Sequence, residues 1–287
     1  MSRSFIHFNR RDIRLRFPSN PEDPWFSEFQ GNSDGFERPR YHATRAVHGS
    51  AADVEPGDTI WLIGQLYAPW GEQLPATIDA RIDVTSIGPR EKGPGYRYAA
   101  GAASRWFPLT NSTEYLRRLN SRTSRQVVTS MWSNRNHAIG HYLRQLRKLE
   151  SDEPLREWEE NFQSRSLHFI SYRIRDGSLA AFDCAKRLMR QDTRIFWDRW
   201  SLPRRLAERR EAVGDQPLDE TIERNIREAA VVWGIESPLY HAPKSYAARE
   251  RNLALALDKY RTVPVTRMSP GNALHLDLRK APHCFCQ

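Results

Sequence analysis

Leu167-His-Phe-Ile-Ser-Tyr172 reads as a short strand that runs into a charged stretch, Arg173 to Asp176. Downstream of it, helices and strands alternate. Ser178 to Arg190 puts Leu179, Phe182, Ala185, Leu188 and Met189 on one helical face, and Arg194-Ile-Phe-Trp197 predicts a second strand. Glu220 to Glu228 is helical, Ala229 to Ile235 is a third strand, and Ser245 to Tyr260 is a further helix. Val263 to Met268 and Leu274 to Leu278 add two short strands. Strand and helix alternating at this spacing demand a parallel sheet with right-handed crossovers. Ligands of such sheets bind outside the carboxyl ends of the strands, near a switch in strand order. Those ends are Tyr172 to Asp176, Asp198 to Leu202 and Glu236 to His241.

Towards the N-terminus the period changes. Ile13 to Phe17 alternates apolar residues with arginine, and Ile78-Asp-Ala-Arg-Ile-Asp-Val84 alternates strictly, as strands with one face on a core do. Pro56-Gly57-Asp58 is a turn that launches the apolar run Thr59 to Ile63. A small open or closed β-barrel is expected for residues 1–110. Between it and the α/β part, residues 111–164 read as a helical connector. Ser112 is placed to cap, Tyr115, Leu116 and Leu119 share a face, Ile139, Tyr142, Leu143, Leu146 and Leu149 keep helical spacing, and Trp158 and Phe162 come after them. Three parts are therefore expected: 1–110, 111–164 and 165–287.

The chain has 287 residues, 39% of them hydrophobic, and a mean hydropathy of −0.72. It has no apolar stretch near the ~20 residues of a membrane span. Met1 to Arg11 lacks the apolar region of a secretory leader. Three cysteines, Cys184, Cys284 and Cys286, make no disulfide framework and suit a reducing cytosol, so a cytoplasmic protein without membrane contact is expected. His275, His283, Cys284 and Cys286 lack the ligand spacing of structural zinc, and no metal is expected. The net charge is +9, and only six of the 44 basic residues are lysine. Guanidinium suits phosphate, either of a dinucleotide or of a nucleic acid, but Arg204-Arg205 and Arg209-Arg210 interleave with Glu208 and Glu211 as on a solvated face.

One carboxylate stands out. On the helix opened by Ser245, positions 246, 250, 253 and 257 share a face, so Glu250 lies on a stripe with Tyr246, Leu253 and Leu257. Capping does not account for it, because the third helical position after Ser245 is Ala248. An ordinary ion pair with an arginine is the alternative.

Phe169-Ile-Ser-Tyr172, the charged stretch and helix after it, Ile195-Phe-Trp-Asp198 with a long loop, Ser237-Pro-Leu-Tyr240 and Ser245-Tyr-Ala-Ala-Arg-Glu250 resemble, in order and approximate spacing, the successive boxes of a Toll/interleukin receptor (TIR) domain. The resemblance covers residues 165–287. The last box of that family commonly reads Trp-x-x-x-Glu; here Tyr246 stands in the Trp position. The resemblance implies a flavodoxin-like α/β fold. For the enzymatic branch it implies cleavage of NAD, as substrate and not cofactor, at the nicotinamide–ribose bond, with Glu250 as the catalytic residue. Departure of nicotinamide needs no general acid, whereas an oxocarbenium-like ribosyl centre gains from a nearby negative charge. Water, an internal nitrogen or an added nucleophile would give ADP-ribose, a cyclic isomer or a conjugate.

By the same resemblance Arg173, Arg175 and Asp176 lie where a first loop approaches the dinucleotide, and either arginine could hold pyrophosphate. Trp200 could stack on a base or pack, Asp198 could position ribose or cap a turn, and Tyr246 would sit beside the substrate. The loop from Trp200 to Pro217 could mediate side-by-side self-assembly. The leading expectation is an NAD-consuming enzyme of prokaryotic anti-phage immunity whose β part senses a phage-derived or partner-protein trigger. The alternatives are a non-enzymatic scaffold, or a nucleic-acid reader in which Gly57 to Leu62 resembles a PUA-like barrel and Trp61 and Trp70 stack on bases.

Overall fold

The computed structural model describes residues 2–8, 38–65, 74–91, 93–120, 143–201, 216–241 and 245–265. The expected strands at 13–17 and 274–278, the loop at 202–215, Trp70 and the Cys284/Cys286 tail lie outside them.

The first half is a rolled sheet. Strands β1 (Ser4–Phe8), β2 (Tyr41–Thr44), β3 (Thr59–Gly64), β4 (Thr77–Pro89), β5 (Tyr96–Ala100), β6 (Arg105–Trp106) and β7 (Arg147–Lys148) form one sheet in the order β2-β5-β4-β3-β1-β7, with β6 on β4. β1 runs parallel to β3, and the other pairs are antiparallel. The strict alternation read at 78–84 is the first half of β4. Its register shifts at Val84/Ser86, where β5 takes over as partner, and a bulge of this kind bends a strand and increases its twist. The bend rolls the sheet until His7 on β1 meets His42 on β2, although β3, β4 and β5 lie between them along the sheet. β3 is buried along its whole length because both faces are covered. Trp61 and Ile63 lie in a cluster with Ile6, Phe107, Trp158 and Phe162, and Ile60 and Leu62 in another with Phe5, Ile82 and Tyr98.

The segment 111–164 departs from a helical connector. Helix α1 (Thr113–Arg117) and helix α2 (Glu153–Phe162) are present, but residues 147–148 are extended and supply β7 to the sheet. Helical spacing would turn Leu143, Leu146 and Leu149 the same way; instead Leu143 and Leu149 join one cluster and Leu146 the other. Pairing with β1 satisfies backbone that a short isolated helix would leave to solvent. α2 is fastened over the sheet by Glu159, which bridges Arg81 and Arg105. The described residues of the segment, 111–120 and 143–164, thus pack into the first core.

The second half is α/β, as the sequence predicts. β8 (Leu167–Tyr172), β9 (Arg194–Phe196), β10 (Val231–Glu236) and β11 (Tyr260–Pro264) form a parallel sheet in the order β11-β10-β8-β9. Helix α3 (Ile174–Met189) covers one face through Phe182, Ala185 and Leu188, against Ile170, Ile195 and Ile235. Helices α5 (Gln216–Glu228) and α6 (Tyr246–Ala256) cover the other through Ile226 and Ala254, against Phe169, Phe196 and Val232. After β9 the chain crosses to the far side of β8, so the order switches between β8 and β10.

The halves share a core. Leu109 exchanges both backbone hydrogen bonds with Ile195, which caps the β9 edge. Trp200, on the short helix α4 (Asp198–Ser201), has no exposed surface, and its indole N–H donates to the Phe107 carbonyl at 3.4 Å. A Cβ at Gly64 would come within 2.4 Å of that indole, so only glycine lets β3 approach it.

Candidate functional site

Five hydroxyl and carboxyl side chains converge where the strand order switches. Ser171 is the fifth residue of β8 and is buried on the side covered by α6. Its hydroxyl donates to Glu250 Oε2 at 2.6 Å and lies 2.9 Å from the buried Tyr240 hydroxyl. Tyr240 comes from the turn after β10, on the way to α6. Tyr172, next on β8 and facing the α3 side, donates to Asp198 Oδ1 at 2.7 Å.

Glu250 faces inward, although not for the residues that predicted it. The buried positions of α6 are Ala247 and Ala254, while Tyr246, Leu253 and Leu257 are only half-buried at the flanks. Glu250 falls three residues after Ala247 and four before Ala254, so small side chains bring the helix down on the sheet and seat the carboxylate over Ser171. Ser245 caps the helix by accepting the Ala248 N–H at 3.1 Å. No ion pair neutralises Glu250 among the described residues. Burial pushes its pKa up, the Ser171 hydrogen bond opposes that, and the nearby Asp198 charge adds to it, so the carboxyl is pushed up to about 7. A carboxyl with that value is divided between its acid and its anion near neutral pH.

The remaining predicted residues divide. Asp198 belongs to the site, both as acceptor for Tyr172 and as a charge close to Glu250. Arg173 and Asp176 do not lie in an open loop, because α3 begins at Ile174 and the expected charged stretch is its first turn. Together they clamp one residue: Arg173 Nη1 donates to the Leu239 carbonyl at 2.9 Å, and Asp176 Oδ2 accepts the Leu239 N–H at 2.8 Å. They hold the turn that carries Tyr240, with the Arg173 Nη1 group engaged there. Arg175 lies in the same helical turn; its side chain is outside the described set. Tyr246 is the first residue of α6, with the Arg249 guanidinium 5.7 Å from its ring centroid. Trp200 is withdrawn from the site: as a fully buried wedge against Phe107 and Gly64 it offers no face to a nucleotide. Trp61 is likewise core, stacked with Phe107, and presents no base-binding surface.

Sequence reasoning passed over Ser171, Tyr172 and Tyr240 as individual groups. A hydroxyl inside an otherwise apolar strand was the available signal for Ser171, since a buried polar group needs a partner. Nothing local announces Tyr240, whose partner is 69 positions away. No group of three or more metal-ligating side chains occurs among the described residues, and no helix among them is long and apolar enough to cross a membrane. Comparison of the chain with family models, with curated proteins and with solved structures returns no match.

Proposed function

We propose that the chain is an NAD-cleaving enzyme of the TIR type, a glycohydrolase or ADP-ribosyl cyclase, with Glu250 as its catalytic carboxylate. The observation that carries this reading is the position of Glu250: a titratable carboxylate without a counter-ion among the described residues, at the switch point of a parallel sheet, hydrogen-bonded by Ser171. The strand order β11-β10-β8-β9 is compatible with a flavodoxin-like arrangement, which supports the resemblance drawn from residues 165–287.

In this reading ionised Glu250 faces the ribose of the nicotinamide nucleotide. Its charge stabilises the oxocarbenium-like centre as neutral nicotinamide leaves, and Ser171 fixes the carboxylate rotamer. Asp198, oriented by Tyr172, adds negative potential close to Glu250. The N-terminal sheet receives the trigger, a phage-derived or partner protein, and self-assembly completes the site. Trp200 and the Leu109–Ile195 pair supply a contact through which the two halves communicate.

The test is mass-resolved analysis of NAD and its products in cells expressing the wild-type chain or Glu250→Gln, with and without infection. Expected is loss of NAD, or appearance of an ADP-ribose species, that falls by at least ~100-fold in the variant. The product mass separates hydrolysis from cyclisation or conjugation. Unchanged nucleotides with both chains, under every trigger and with self-assembly intact, support a scaffold instead.

A further inference from the structure

Helix α4 is a single turn that touches both halves. It is closed on itself: the Trp197 N–H donates to Ser201 Oγ at 3.2 Å, and the Trp197 carbonyl accepts the N–H of Trp200 at 2.8 Å and that of Ser201 at 2.7 Å. Asp198 lies inside this closed turn and moves with it. Trp197 fixes the turn to the α/β core, fully buried, with its ring centroid 6.4 Å from those of Tyr172 and Phe182. Trp200 is fixed by the other half. Leu74 and Leu109 share its cluster, the Phe107 carbonyl accepts its N–H, and Gly64 at the end of β3 meets the edge of its ring.

Asp198 makes a contact that β9 does not. Pairing of β8 with β9 stops at Phe169 and Phe196, so Tyr172 lies three residues past the last paired position. The Tyr172 hydroxyl spans that gap to Asp198 Oδ1 at 2.7 Å. The strand end it fastens is the one that carries Ser171 and, through Ser171, Glu250.

At Gly64 the strand is the stiffer partner. β3 is paired with β4 as far as Gly64 and with β1 as far as Ile63, whereas α4 is one turn at a strand end. A Cβ at Gly64 would stand 2.4 Å from the indole Cη2 and 3.3 Å from Cζ2 and Cζ3. A close-packed interior leaves no slack, so a displacement of β3 is passed to the indole. Because Trp197 is held in the α/β core, an indole that leaves Gly64 turns α4 about Trp197 and carries Asp198 away from Tyr172. We propose that Gly64 and Trp200 are positioning residues through which the N-terminal half sets the site: with the indole seated on Gly64, Asp198 holds Tyr172, and a partner that shifts the end of β3 unseats the indole and releases that bond. The coupled places are the end of β3 and the carboxyl end of β8. The contacts that differ between the seated and unseated turn are the indole on Gly64 and Tyr172 on Asp198.

The coupling rests on the NAD reading only for what the site does, and it is measured without turnover. The full chain is labelled with tyrosine carrying 13C at Cζ, and the Tyr172 signal is identified among ten tyrosines by its absence in Tyr172→Phe. Asp198→Ala gives the position of that signal with the bond lost. Gly64→Ala, which changes no residue of the α/β half, should shift the signal towards that position. Trp200→Phe, which shortens the wedge and removes its N–H, should do the same. Ile82→Val loosens the first half at the cluster that lacks Trp200 and should leave the signal in place. Far-ultraviolet circular dichroism identifies the folded variants that count. A Tyr172 signal that stays in place in either folded variant, or that moves as far in Ile82→Val, overturns the coupling. Should neither variant fold, the reverse measurement decides, because coupling is reciprocal. Tyr172→Phe must then shift the 19F signal of a fluorotryptophan placed at position 200, and an unmoved signal overturns the coupling equally. A shifted Tyr172 signal in a protein that never consumes NAD leaves the coupling standing and removes the NAD reading alone; NAD consumption with an unmoved signal does the reverse.

Discussion

The two halves of this molecule each bury a polar cluster, and the clusters respond to pH in opposite directions. In the N-terminal sheet His7 donates from Nε2 to the Arg144 carbonyl at 3.1 Å, so its Nδ1 is the acceptor and His42 Nε2 is the donor across 2.7 Å. The second nitrogen of His42 has no hydrogen-bond partner among the described residues. Burial lowers His7 to about 4 and His42 well below its ordinary value, and both rings stay neutral. In the C-terminal sheet burial raises Glu250 to about 7. The unfolded histidines bind more protons than the folded ones, so their contribution is whole above pH 6.5 and is lost as pH falls towards 4. Folded Glu250 binds more protons than unfolded Glu250, so its contribution is whole below pH 4.5 and is lost as pH rises through 7. One cluster is sealed within the roll of the sheet, and the other sits where strands end and a helix starts. The same physics, removal of charge from water, makes the first a structural fastening and leaves the second poised to titrate under working conditions.

The largest effect should come from cutting the join between the halves. Trp200→Ala opens a cavity beside Phe107 and Gly64 and should cost ~3–5 kcal/mol. Calorimetry should show a lowered Tm, with the two halves no longer melting together; a single transition within ~1 °C of the wild type would mean that the halves are not coupled through this ring.

Next is the histidine pair. His7 alone should withdraw ~3 kcal/mol of stability as pH falls from 6.5 to 4. His42→Phe should cost ~1–2 kcal/mol at neutral pH, because it strips His7 Nδ1 of its donor, and should make the acid limb shallower. Urea midpoints measured across pH ~4–8 check this, with Glu250→Gln flattening the neutral limb instead. Equal acid limbs in wild type and His42→Phe would assign acid sensitivity elsewhere.

A last variant sharpens the comparison within the C-terminal sheet. Gly234→Ala forces Tyr260 aside and should cost ~1–3 kcal/mol. Combining it with Tyr260→Phe removes the colliding oxygen, so the double variant should lose less than the sum of the singles. Strict additivity in urea unfolding would show that the methyl group and the hydroxyl do not meet.

Strands β3, β4, β8 and β10 and helix α6 were legible because apolar period and turn residues are local signals. β1 and β7 were not: each is a short segment whose extended form is stabilised by the other and, for β1, also by β3, partners far along the chain. Leu143, Leu146 and Leu149 kept helical spacing and still did not form a helix, because two cores on opposite sides of a sheet claimed them. Glu250 was legible as an inward carboxylate, but the residues that seat it are Ala247 and Ala254, whose small size carries little hydrophobic signal.

By itself the amino-acid order determined an α/β half following a β half, pointed to the carboxyl ends of its strands as the candidate site, and set Glu250 on an inward face of α6. Tertiary structure alone decided that Trp200 joins the halves, that Arg173 and Asp176 clamp a turn, and that Ser171 and Tyr240 line up behind Glu250. Periodicity reports which way a side chain faces along its own element; a hydrogen bond between residues 69 or 79 positions apart exists only once strands, turn and helix have been packed together.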